Sequence, residues 1–230
     1  MTSRLIPKST FDVIEELAHR AMPEPRSKYR SEFLRDRDRI LYSLEFRRLD
    51  GKTQVVLPFA NDHIRNRLTH TLQVAQISDV IAKYFGLNTD LTQAIALGHD
   101  LGHTPFGHVG ERTLNFIMNN CESYFIDRTM LPASERGFKH NLQGIRVCCD
   151  LERIYPTIKG LNLTNFTLWG IKNHSSTKWR ECPYYSDEKC HYKLIPRLCS
   201  KKGALETSFY DRYKGYTSLE GVDKEAWYKH

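Results

Sequence analysis

The stretch 98-GHDLGHTPFGHVGE-111 decides the reading of this chain. Three histidines, an aspartate and a glutamate are gathered there around four glycines and a proline. A purely structural segment has little use for so many ionisable groups. A metal site does, because imidazole nitrogens and carboxylate oxygens are the donors that divalent transition metals take. His99 and Asp100 stand at the end of a predicted helix, where a glycine-bounded bend can aim both side chains into one space. His70, at the start of an earlier predicted helix, is the candidate third ligand. Two imidazoles and a carboxylate leave coordination positions open, and a cation held this way lowers the pKa of bound water and polarises a phosphoryl oxygen.

Working outward, the pattern is helical nearly everywhere. Residues 70–86 place Leu72, Ala75, Val80, Ile81, Tyr84 and Phe85 close to helical spacing, with Gly86 as a stop. In 88-NTDLTQAIALGHD-100, Asp90 and Gln93 fit a capping box ahead of an apolar stripe of Leu91, Ala94, Ile95 and Leu97. The segment 110-GERTLNFIMNNC-121 puts Leu114, Ile117, Met118 and Cys121 on one face, with Glu111 in the expected first turn and His108 just before it. A further helix is expected over 140-HNLQGIRVCCDLERIY-155, closed by Pro156. Strand signals are weak, and 53-TQVVLPF-59 is a short candidate. The expected class is therefore all-α. From about residue 176 the texture becomes polar, aromatic and rich in turn formers. The expected division is a helical core over 1–176 and an irregular subdomain over 177–230.

The totals agree with a folded domain. The chain has 230 residues, 40% hydrophobic and 27% charged, which is a globular composition rather than a disordered or fibrous one. No apolar run approaches the roughly 20 residues of a membrane helix, so no membrane partner is expected. The opening 1-MTSRLIPKSTFDVIEELAHR-20 carries charges throughout, so no signal peptide is read and a cytoplasmic location is expected. The six cysteines would then be reduced, with Cys148 and Cys149 serving as small buried hydrophobes. A net charge of +7 favours an anionic partner. Basic residues are densest over 26–52 and 61–70, where either a phosphate-binding region or a solvated face of ion pairs is expected.

Several blocks together carry a more specific resemblance. The "HD" pair at 99–100 with an upstream histidine resembles the HD-domain phosphohydrolases. Further, "EFLRDRDRILYSLEFRRLDGKTQVV", "NDHIRNRLTHTLQVAQI", "ALGHDLGHTPFGHVGE", "FKHNLQGIRV" and "GLNLTNFTLWGI" resemble successive blocks of the dGTP triphosphohydrolase family, in that family's order. The likeness runs from about residue 30 to 176, then faintly over 217–222. It implies an all-α HD-domain bundle and cleavage of deoxynucleoside triphosphates to deoxynucleoside and tripolyphosphate.

Carried over residue by residue, the resemblance makes His70, His99 and Asp100 ligands of a divalent cation, Mn²⁺ or Mg²⁺. His108 would act at the α-phosphate as nucleophile or proton donor, with Glu111 holding it in position. A carboxylate bound to one ring nitrogen fixes the tautomer and raises the basicity of the other. Arg67 matches a phosphate contact, and Gln54 a position near the deoxyribose that would discriminate against a 2′-hydroxyl. His103 is a polar group at the site mouth, suited to a phosphate contact or an acid role. His140 and Asn141 match an "HN" pair that either supports the site or touches substrate. The family also implies a homo-oligomer.

The resemblance implies one more ligand, an aspartate some way after a "SLEG" segment. Here Tyr228 stands at about that spacing in 218-SLEGVDKEAWYKH-230, and Asp223 comes earlier. The chain is thus expected to be truncated relative to the family, with an exposed apolar patch and partner-dependent stability. Two functional classes remain. One is a metal-dependent deoxynucleoside triphosphate hydrolase. The other is a non-catalytic relative that binds deoxynucleoside triphosphates or single-stranded nucleic acid within an oligomer. Separately, Cys182, Cys190, His191 and Cys199 are spaced C-x7-C-H-x7-C, which suits structural zinc, an iron–sulfur cluster or plain reduced thiols.

Overall fold

The computed structural model describes residues 14–53, 65–118, 137–153 and 155–174. Residues 14–17 are helical, and seven α-helices follow in these segments: α1 Glu32–Tyr42, α2 Leu44–Arg48, α3 Arg67–Phe85, α4 Thr89–Gly98, α5 Gly107–Met118, α6 His140–Arg146 and α7 Asn165–Asn173. No strand occurs among the described residues, and backbone pairing outside helices is confined to isolated bridges such as Thr53 with Asn66. The all-α expectation holds. Thr53 is the one described residue of the candidate strand over 53–59; the others lie outside the described residues.

Local chemistry explains the helix boundaries. Ser31, Asn66, Asn88 and Thr164 each accept a backbone N–H bond at the start of α1, α3, α4 and α7. Gly86 ends α3 in a left-handed conformation at φ 66°, which glycine adopts without steric cost. The expected capping box on Asp90 and Gln93 is not what starts α4. Asn88 is the cap, while Asp90 accepts a bond from the Ser31 hydroxyl and Gln93 bridges Arg37 and Asp79. Both side chains tie α4 to its neighbours, so they are unavailable to its own terminus. The helix expected over 140–155 also ends sooner. After Arg146 it widens into a single π turn at Val147–Leu151 and stops at extended Glu152, whose carboxylate accepts from Glu45 N.

α4 is the central element, packed on α1, α3 and α7. The core gathers Ile40 from α1, Leu97 and Leu101 from α4 and its bend, Ile145 from α6, and Leu168 and Ile171 from α7. Cys148 is buried in this core and Cys149 is half-buried, as free thiols among hydrophobes tend to be.

α3 departs from its expected stripe. Ala75 is buried, but Leu72, Val80, Ile81, Tyr84 and Phe85 are all exposed. The buried face is Arg67, Thr71, Ala75, Asp79 and Ala82 instead. Small and hydrogen-bonding side chains allow close approach to α4, and Asp79 is held by Lys83 and Gln93. Apolar periodicity alone does not say which face turns inward when small and hydrogen-bonding side chains line the contact.

The basic stretch 26–52 divides in two. Arg30 and Arg48 make exposed ion pairs with Asp38 and Glu45, as one of the two expectations had it, while Arg35 and Arg39 turn inward to Glu24. Arg20 reaches Asp36 at 2.5 Å and Glu32 at 2.8 Å, with side-chain exposure of 7% or less in all three. Arg39 binds Glu24 at 2.5 Å and donates to the Leu161 and Asn162 carbonyls. Asp36 also accepts from the Thr164 backbone and hydroxyl. This network clamps the N-terminal segment, α1 and the approach to α7 together. Among the described residues no helix is long and apolar enough to cross a membrane.

Candidate metal and phosphoester site

The C-terminal end of α4 delivers the key residues. His99 caps this helix and Asp100 follows in the bend. The His99 Nδ1–H donates to the Ala96 carbonyl at 2.6 Å, so its Nε2 is the nitrogen free to serve the site. His70 comes from the first turn of α3, and its ring meets that of His99 edge-on with centroids 5.8 Å apart. The donor atoms of His70, His99 and Asp100 lie within 4.8 Å of one another. Burial pushes the His70 pKa below its ordinary value, so the ring is neutral at pH 7. Burial alone would raise the Asp100 carboxyl, but His99 and Arg67 outweigh it and hold the group below the usual range. Two imidazoles and an ionised carboxylate are a donor set suited to a divalent cation.

The bend 101–107 leads from this set to a second one. Gly102 crosses α6 so closely that a Cβ there would run into the backbone of His140 and Gly144. This crossing lays His103 against His140, with stacked rings 4.5 Å apart. Phe106 and Gly107 then take left-handed conformations at φ 63° and 59° and turn the chain into α5. For phenylalanine that conformation is strained, as is common at functional turns. α5 begins three residues sooner than expected, so His108 sits inside its first turn rather than before it, and Glu111 lies one turn further on.

Glu111 is buried and joins two rings. One oxygen is 3.1 Å from His108 Nδ1, the other 3.0 Å from His140 Nδ1. Burial would raise the Glu111 pKa, but bonds and charge from His140, His108 and Lys139 hold it far below the usual carboxylate range. It therefore stays ionised at every working pH. His103, His108 and His140 have ring nitrogens within 4.8 Å of one another. Burial, Arg67 and His140 drive the His103 pKa down to about 3, so this ring is neutral. His108 is mostly exposed, which suits a group that must meet a solute.

Arg67 stands between the two sets. Its Nη1 donates to Asp100 Oδ2 at 2.7 Å, and both residues are buried. Its Nε and the His103 Nδ1 are buried with no hydrogen-bond partner among the described residues. Such atoms are costly to leave unmet. The structure thus brings together His70, His99, Asp100, His103, His108, Glu111 and Arg67. Gln54 and the Cys182, Cys190, His191 and Cys199 cluster lie outside the described residues, as do Asp223 and Tyr228.

Sequence reading passed over His174. It caps α7 and its ring lies edge-on to His99 with centroids 5.5 Å apart. The available signal was its position: like His99, it is a histidine closing a helix of the core.

Comparison with known proteins fits this geometry. The HD domain family matches residues 67–194, and the chain belongs to that family. A deoxyguanosinetriphosphate triphosphohydrolase-like protein of Pelagibacter ubique is 49% identical over 156 residues, covering 68% of this chain and 38% of that protein. Proteins of the same name from a Ruegeria species and from Paracoccus denitrificans are 47% and 46% identical, over 72% and 74% of this chain and 40% and 41% of their own lengths. The chain spans about two fifths of the length of these curated relatives.

Proposed function

We propose that this site hydrolyses deoxynucleoside triphosphates to the deoxynucleoside and tripolyphosphate, using a divalent cation, Mn²⁺ or Mg²⁺, held by His70, His99 and Asp100. The observation that carries the reading is the His108–Glu111 pair, 3.1 Å apart, on the same bend and helix start as His99 and Asp100 of the half-buried donor trio. A bound cation would polarise the α-phosphoryl group and neutralise developing charge. Arg67 offers its unmet Nε–H to a phosphate oxygen, and neutral His103 offers a hydrogen bond rather than a proton. Glu111 accepts the Nδ1–H of His108, which leaves Nε2 as the atom that hands its proton to the leaving O5′. The Pα–O5′ bond breaks, the water oxygen ends on the tripolyphosphate, and O5′ leaves with a proton. An ionised Glu111 stabilises the imidazolium form of His108 that supplies this proton.

Gln54 would sit by the deoxyribose and Asn141 would support the site. The relatives' names support a guanine nucleotide as one substrate, and the exposed apolar face of α3 supports assembly into an oligomer. The test is incubation of the protein with each of the four deoxynucleoside triphosphates and Mn²⁺ or Mg²⁺, with products resolved by ion chromatography. Tripolyphosphate is expected, and it should vanish in the His99→Ala/Asp100→Ala variant. Orthophosphate as the product would overturn the reaction assigned. Binding of nucleotide without turnover would replace hydrolysis by a binding role.

A further inference from the structure

We propose that His174 belongs to the cation site: its Nε2 accepts a hydrogen bond from a water ligand of the ion held by His70, His99 and Asp100. The inference rests on that ligand assignment and adds a residue to it.

The argument begins with how α4 and α7 meet. A Cβ at Gly98 would run into the Ile171 side chain, and a Cβ at Gly170 would run into Ile95. The contact is reciprocal, with a glycine of each helix receiving an isoleucine of the other. It brings the two helix ends together and places their capping histidines, His99 and His174, side by side. The two histidines are built alike. His99 donates Nδ1–H to the carbonyl three residues back, Ala96, at 2.6 Å, and His174 does the same to Ile171 at 2.5 Å. A nitrogen facing a carbonyl oxygen must carry the proton, so Nε2 is the nitrogen left for another partner in both rings. Metal-site histidines are oriented by this arrangement, with the second nitrogen donating to a carbonyl or carboxylate.

Position separates their duties. His99 has His70 on one side at 5.8 Å and His174 on the other at 5.5 Å, both edge-on. His174 is not in the group of three whose donor atoms lie within 4.8 Å. It stands one layer out, where a water bound to the ion is the partner it can reach. It also lies 6.5 Å from His140, so it closes an arc of six imidazoles from His70 through His99, His174 and His140 to His103 and His108. His174 is exposed overall, so its ring is not enclosed by protein on every side.

The test is calorimetric titration of the full chain with Mn²⁺, read as affinity and stoichiometry, in wild type and in His174→Ala, His174→Asn and His174→Gln. Removing a group in this outer layer weakens metal binding roughly 10–100-fold. Asparagine can keep the bond to the Ile171 carbonyl but cannot reach the position of Nε2, so it should bind as weakly as alanine. Glutamine places an oxygen near Nε2 and should recover part of the loss. A merely structural cap predicts the reverse, with asparagine restoring binding and glutamine failing. That pattern, or folded variants binding as tightly as wild type, would overturn the role of His174. Failure of wild type itself to bind Mn²⁺ would instead overturn the His70, His99 and Asp100 assignment. Should His174→Ala not fold, the asparagine and glutamine pair decides alone.

Discussion

Two regions of this molecule use the same charged residues to opposite ends. In the N-terminal clamp, Arg20, Glu24, Glu32, Arg35, Asp36 and Arg39 each have an oppositely charged partner. Around Asp100, the Arg67 Nε and the His103 Nδ1 are equally buried but have no partner among the described residues. The first region is electrostatically closed and the second is open. Charge density marks neither one as functional. What separates them is whether the buried side chains find a partner for the atoms in question among the described residues, because a buried polar atom left unmet is costly.

The largest expected effect lies in the closed region. Asp36→Ala strands the Arg20 guanidinium and the Thr164 hydrogen bonds, and breaking a buried pair from one side costs about 3–5 kcal/mol. Chemical denaturation should show that loss, and Mn²⁺ affinity measured on whatever remains folded should be unchanged. A mild effect would mean that the clamp is less tightly closed than its distances imply.

Next comes Glu111→Gln in the open region. It keeps a hydrogen-bonding side chain but removes the charge that supports a protonated His108. Turnover of deoxynucleoside triphosphate should fall by about 100-fold or more, the usual worth of a general acid–base pair. Stability should move far less, and steady-state kinetics beside a melting curve would separate the two.

Acid should also weaken the open region first. His103 has its pKa driven down to about 3 by burial, Arg67 and His140. In the unfolded chain its pKa is about 6.5. Between these values the unfolded state takes a proton that the folded state refuses, so stability is full above about pH 6.5 and falls as pH drops. The expected loss is about 2 kcal/mol by pH 5, and His103→Asn should flatten the slope over that window. Glu24 and Glu32, held below their usual range against burial by Arg39 and Arg20, lose their contribution lower down, below about pH 4.5. The smallest effect belongs to neither region. Asn88→Ala removes the cap of α4 and should cost about 1 kcal/mol in thermal unfolding.

The grouping of the candidate site residues was largely legible in the sequence because most of them are local. His99 through Glu111 lie on one bend, and an i,i+3 pair such as His108 and Glu111 needs no knowledge of tertiary structure. The all-α class was legible for a similar reason, in the periodicity of successive segments. What escaped depends on how helices face one another. The apolar residues of α3 suggested a buried stripe, yet the inner face is Arg67, Thr71, Ala75 and Asp79. The arginines of α1 suggested a phosphate surface or a solvated face of ion pairs, yet Arg39 is spent on Glu24 and two carbonyls 122 and 123 residues away in sequence. His174 escaped because nothing local distinguishes a capping histidine from one that meets His99 through the reciprocal Gly98–Ile171 and Gly170–Ile95 contact. In each case the missing information was a pairing between distant segments.

The claim that the open region is a cation site is tested most directly by counting bound Mn²⁺ with electron paramagnetic resonance. One tightly held ion per chain is expected in wild type, with the signal of free Mn²⁺ returning in full for the His99→Ala/Asp100→Ala variant. A folded wild-type chain that leaves all Mn²⁺ free, or a double variant that holds the ion equally well, would contradict the account.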